Sequence, residues 1–134
     1  MPDTTLPTRS LVTGVDFVML FAIDLDAART FYVDVLGLEL LTDRAPHNLE
    51  FQAGNLTLSV LNAEAMGHGM VHEVHKAAIA LRVDDVAAAR TQLEAAGVEF
   101  TGDTQDTGVC HMGFFTDPDG NAFMLHHRYA PKEN

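Results

Sequence analysis

Leu20, Asp24, Gly37 and the triplet Leu38-Glu39-Leu40 recur as Leu81, Asp85, Gly97 and Val98-Glu99-Phe100, at offsets of 61, 61, 60 and 60 residues. Between aspartate and glycine both copies carry a periodic apolar segment: Leu25, Ala28, Phe31, Tyr32, Val35 and Leu36 in the first, Val86, Ala89, Leu93 and Ala96 in the second. Apolar residues every three or four positions mark an amphipathic helix. Aspartate caps its start by accepting free backbone N–H groups, and glycine ends it in the left-handed conformation. A 134-residue chain that writes one plan twice is constrained to a pair of modules. Two copies are too few for a solenoid, which needs about three or more.

Each copy reads as strand, helix and three strands. The first supplies a strand within Leu11 to Ile23, a helix over 25–36, and strands at Leu38–Thr42, Asn48–Ala53 and Leu56–Leu61, parted by turns at Arg44-Ala45-Pro46 and Gly54-Asn55. The second ends in strands at Val109–Thr116 and Asn121–Arg128 around Asp117-Pro118-Asp119-Gly120, where proline presets φ and the acidic side chains can accept turn amides. The expected organisation is an arm over 1–10, a first module over 11–62, a linker over 63–75, a second module over 76–130 and a tail over 131–134.

Nineteen acidic against eight basic residues give a net charge of −11, with no cluster of Lys or Arg. Such a surface repels phosphate, so nucleic acid and anionic membranes are excluded as partners, and small neutral or cationic ligands stay open. A single cysteine, Cys110, rules out an intrachain disulfide and a multi-cysteine zinc site. The longest apolar run, Phe17 to Ile23, is seven residues, too short for a membrane span or a secretory core. A cytoplasmic location is expected.

Strand alternation sorts the candidate site residues. If Val18, Leu20 and Ala22 face the first helix, Phe17, Met19 and Phe21 face the other way; likewise Ile79, Leu81 and Val83 oppose Ala78, Ala80 and Arg82. Met124 and His126 join the second set, and Glu50 and Ser59 come from the last two strands of the first module. The result is an apolar wall with Arg82 and His126 as polar handles, the make-up of a small-molecule pocket. An inward Arg82 calls for an anion, which Glu50 could supply. One of Cys110 and His111 faces the same space. His111 and His126 are the candidate proton carriers, because imidazole titrates near neutral pH. His68, His72 and His75 have a spacing that could hold a metal on a helix, but the two glycines around His68 favour a solvated loop.

The stretches Phe17 to Asp24, Ala28-x-x-Phe31-Tyr32-x-x-x-Leu36-Gly37, Arg82 to Asp85 and Asp117-Pro-Asp-Gly-Asn121 resemble the glyoxalase, extradiol dioxygenase and bleomycin-resistance group, the vicinal oxygen chelate superfamily, over residues 12–128. The resemblance implies an α+β fold: two tandem βαβββ modules whose sheets curl into a cup, with helices outside and a ligand or metal within. It also implies a homodimer, and apolar residues in excess of what two short helices cover point the same way. Metal-dependent members carry histidine where this chain has Phe17, often histidine at Ala78, and glutamate at Met124, with a fourth position near Leu58 or Ser59. With those donors replaced, the resemblance implies a metal-free cup without cofactor that holds a small, largely hydrophobic organic molecule. The alternative is a lyase, isomerase or dioxygenase-type enzyme working through His111, His126 or a relocated metal.

Overall fold

The computed structural model describes residues 10–132. The expected arm, apart from Ser10, and the end of the expected tail lie outside the described residues. The first repeat gives β1 (Phe17–Phe21), α1 (Leu25–Arg29) continued by a π-helical turn (Thr30–Val35), β2 (Glu39–Arg44), β3 (Asn48–Ala53) and β4 (Leu56–Leu61). A short α2 (Ala63–Met66) follows. The second repeat gives β5 (Ile79–Arg82), α3 (Val86–Ala95), β6 (Phe100–Asp106), β7 (Cys110–Thr116) and β8 (Ala122–Arg128). The sheets are ordered β1-β4-β3-β2 and β5-β8-β7-β6. In each, the first strand pairs in parallel with the last and the rest are antiparallel. This is the expected α+β class.

The capping logic holds at both helices. Asp24 Oδ1 accepts from the Asp26 and Ala27 N–H groups at 2.9 and 3.2 Å, and Asp85 Oδ1 from Ala88 N–H at 3.0 Å. Gly37 and Gly97 end their helices at φ 75° and 96°, where a β-carbon would be strained. Three local expectations change. The first strand is confined to Phe17–Phe21, and Leu11, Val12 and Val15 ahead of it are exposed. The linker is not all loop, because Asn62 Oδ1 accepts from Ala65 N–H at 2.8 Å and starts α2. The first helix widens into a π turn, with Leu36 N–H donating to Phe31 C=O at 2.9 Å. The cause is visible in the spacing: Asp24 to Gly37 is one residue longer than Asp85 to Gly97, and a π turn absorbs one extra residue inside a helix.

That widening lets two sequence neighbours turn inward together: Phe31 and Tyr32 are 8% and 0% exposed. Tyr32 packs on Phe51 of its own sheet at 5.0 Å between ring centroids and on Phe123 of the other sheet at 6.0 Å, while Phe31 reaches Phe115 at 6.5 Å. The helix-covered faces of the two sheets therefore share one core, which also takes Val86 and Leu93 from α3. The helices lie opposite Phe17 and Met19, and those strand faces look away from the core.

The turn between β7 and β8 joins the halves a second time. Asp117, 5% exposed, accepts from Tyr32 Oη at 2.5 Å, Asn121 Nδ2 at 2.8 Å, and the backbone N–H groups of Asp119 and Asn121, both at 2.9 Å. Asn121, fully buried, donates through Nδ2 to Phe21 C=O at 2.9 Å and accepts His75 N–H at 2.8 Å. Asp119 Oδ1 accepts Ile23 N–H at 2.9 Å. Burial, reinforced by the Asp117 charge, pushes the Tyr32 phenol far above its ordinary range, so it stays a donor. The turn expected only to connect two strands thus clasps β1, the start of α1 and the linker. Among the described residues no helix is long and apolar enough to cross a membrane.

Candidate functional site

On the outward face of the first sheet, register sets Met19 beside Ser59 and Ser59 beside Glu50; Phe17 and Phe21 flank Met19 along β1. Phe17 and Met19 are 50% and 43% exposed, whereas Ser59 beneath them is buried. On the second sheet Ala80 pairs with Met124 and Arg82 with His126, and β7 continues these rows with Phe114 and Met112. Arg82 is exposed, and Met124 and His126 are half-buried. The structure thus gathers Phe17, Met19, Phe21, Glu50 and Ser59 on one sheet face and Arg82, Met124 and His126 on another. Glu50 and Arg82 do not form the ion pair that alternation allowed; among the described residues neither joins a salt bridge.

A cleft of about 760 Å³ opens along β5, between the second sheet with α3 and the β3–β4 turn with the end of the first helix. Arg82 and His126 line it together with Leu36, Leu56, Leu81 and Leu125, while Phe17 and Met124 do not. His127, on the other face of β8, is occupied: its Nδ1 lies 3.2 Å from Val83 C=O, which makes that nitrogen the donor.

Cys110 and His111 separate as alternation requires. Cys110, Met112 and Phe114 stand opposite Arg128, His126 and Met124, so the cysteine shares the His126 face and His111 points the other way, opposite His127. The two candidate proton carriers therefore lie on opposite faces of one sheet. His111 belongs to a surface group at the end of the β6–β7 hairpin. Its Nε2 is 3.5 Å from Asp106 Oδ2, its ring lies 4.8 Å from that of Tyr129, and Tyr129 Oη donates to Asp106 Oδ1 at 2.8 Å. The Gly108 N–H, then Tyr129, hold the Asp106 carboxyl below the ordinary aspartate range, and the Tyr129 phenol is raised in return. A carboxylate with a depressed folded value contributes to stability above its unfolded value, and that contribution is lost as pH falls through the depressed one. An NMR titration of Asp106 should show the depressed midpoint, and Tyr129→Phe should move it up; an unchanged midpoint would contradict the bond.

Periodicity gave no signal for His72. Instead of lying in a solvated loop, it packs on Phe21 with ring centroids 6.2 Å apart, and its Nδ1 is buried without a partner among the described residues. His68 is exposed, as expected of the loop, and His75 is tied through its backbone to Asn121. Among the described residues no three His, Cys, Asp or Glu side chains gather in metal-binding range.

The repeat makes the donor test specific. Met19 and Ala80 are 61 residues apart and pair with Ser59 and Met124 respectively, so Ser59, not Leu58, is the counterpart of Met124. The four positions at which a metal centre would need donors hold phenyl (Phe17), methyl (Ala78), hydroxyl (Ser59) and thioether (Met124). Phenyl and methyl offer no lone pair and a thioether suits only soft ions, so this set does not fit a hard divalent cation.

Residues 14–125 match the family model described as the Glyoxalase/Bleomycin resistance protein/Dioxygenase superfamily. No match was found among curated protein sequences. Of solved structures, lactoylglutathione lyase from Agrobacterium tumefaciens is similar at TM-score 0.74 and 22% identity, over 87% of this chain and 95% of its own. TnmS3, an antibiotic binding protein from Streptomyces sp. CB03234, is similar at TM-score 0.73 and 25% identity, over 90% of this chain and 99% of its own. A glyoxalase/bleomycin resistance protein/dioxygenase from Nocardioides gives 0.73 and 19%, over 94% and 93%.

Proposed function

Because this chain belongs to the Glyoxalase/Bleomycin resistance protein/Dioxygenase superfamily, we propose that it binds a small, largely hydrophobic organic molecule without a metal ion, as a cytoplasmic homodimer. One observation carries the reading: where a metal centre would place donors, Phe17, Ala78 and Met124 present carbon and sulfur, and on the first sheet Phe17 and its face neighbour Met19 are left half-exposed. Large apolar side chains kept at the surface of a folded domain mark a ligand or partner site. That TnmS3, which this chain resembles, is an antibiotic binding protein supports an organic ligand. The alternative, an enzyme, has His126 as its proton carrier, because it shares the face of the second sheet with Met124 while His111 lies on the other face.

Three measurements test the proposal. Metal analysis of the purified protein should find less than stoichiometric Zn, Fe, Mn or Ni; a full equivalent overturns the donor argument. A screen of aromatic fragments by ligand-observed NMR should yield binders that Phe17→Ala and Met124→Ala each weaken by about tenfold, since burying such a side chain contributes ~1.5–3 kcal/mol. Hits indifferent to both substitutions would refute the site. Light scattering should give twice the monomer mass for the native chain; a native monomer at micromolar concentration would remove the dimer.

A further inference from the structure

The cleft along β5 carries a charge pattern opposite to that of the whole chain. Arg82, Arg128 and Lys132 line it, and among the described residues Asp84 is the one acidic side chain that does. The other walls are aliphatic, from Leu36, Leu38 and Leu56 on one side to Leu81, Leu93 and Leu125 on the other. Arg82 is the register partner of His126, and Arg128 follows His126 by two residues, so all three side chains leave one face of adjacent strands, while Leu81 and Leu125 leave the other; the cleft takes in both faces around the free edge of β5. Arg29 and Arg90 form salt bridges, but neither Arg82 nor Arg128 joins one with a described carboxylate. Arg128 is under-satisfied as well: Nη2 donates to Pro131 C=O at 3.1 Å, and Nε is buried with no partner among the described residues. Two guanidinium groups that line one cleft with no ion pair among the described residues, one of them holding a buried orphan donor, cost free energy that an anion would recover.

We propose that this cleft is a binding site for an organic anion, a carboxylate on an apolar body, with Arg82 and Arg128 holding the charged group and the leucine walls the body. A volume of about 760 Å³ suits such a molecule. The proposal goes beyond the reading above by placing a second small-molecule site in this cleft, which neither Phe17 nor Met124 lines. The net charge of −11 pointed toward neutral or cationic ligands, and this cleft reverses that preference locally.

The test compares benzoate and naphthoate with their neutral alcohols, benzyl alcohol and naphthylmethanol, on the native protein, following backbone amide resonances at neutral pH. The expected result is that each carboxylate binds roughly tenfold more tightly than its alcohol, because charge-assisted hydrogen bonds are the stronger kind. The preference should shrink as salt is raised. The shifts should fall on Leu81, Arg82, Leu125 and Arg128. Arg82→Gln should remove most of the preference; since Arg82 is exposed and unpaired, its thermal midpoint should match the native one, and Lys132→Gln provides a second variant. Equal binding of acid and alcohol overturns the anion assignment and leaves the small-molecule reading standing. Shifts confined to Phe17, Met19 and Ser59 overturn the cleft and keep ligand binding on the first sheet. Saturation of the same resonances by inorganic phosphate alone overturns the amphiphile, and no binding by any probe overturns both readings.

Discussion

Asp117→Ala is expected to lose about 3–5 kcal/mol of stability in guanidinium unfolding, the range for breaking a buried charged network. The carboxylate is nearly sealed from solvent and accepts four hydrogen bonds. Its removal leaves the Tyr32 hydroxyl and one Asn121 amide proton buried without an acceptor, at ~1–3 kcal/mol for each unsatisfied group. Against a typical total of ~5–15 kcal/mol, this is a large share of the stability of a small domain. Tyr32→Phe deletes one donor and should cost less, and the two substitutions should be clearly non-additive, because they share one bond. A loss below ~1 kcal/mol for Asp117→Ala would show that the clasp is solvated and not a structural joint.

Phe123→Ala should cost a similar ~3–5 kcal/mol, through lost burial plus the cavity left behind. Phe123 has no exposed surface, stacks on Phe115 at 5.8 Å and meets Tyr32 of the first helix at 6.0 Å. The informative part is the shape of the transition. Because the core runs through both halves, the variant should still unfold in a single step at lower denaturant, with fluorescence and circular dichroism coincident. A biphasic curve, with the first half persisting after the second has melted, would mean that the repeats are separately stable.

Much of the fold was legible because it rests on local rules. The aspartate caps, the glycine ends, the β3, β4 and β8 turns and the doubled spacing each follow from a few neighbouring residues. What could not be read depends on contacts across the chain. Leu11, Val12 and Val15 have a strand-like composition yet lie exposed, because apolar character does not say whether a neighbouring strand is present to pair with. Alternation assigned Phe17, Met19 and Phe21 to one face correctly as a set, and it left Cys110 and His111 unresolved until the β7–β8 register was known. His72 was out of reach altogether, since a loop side chain that folds back on Phe21 leaves no periodic trace. The cleft escaped for a different reason: a net charge averages over the surface and hides a local reversal of sign.

The extra residue that widens the first helix also bears on the ancestry of the chain. If two equal halves arose by duplication, one insertion was enough to end their equivalence. The lengthened helix turns adjacent aromatic residues toward both sheets, whereas α3 buries Val86 and Leu93. The halves thereby took up separate duties, the first bridging and the second being bridged. A gene built from two second halves would encode the same order of strands and helices but no Tyr32 to meet Asp117, and its halves would be neighbours without being joined.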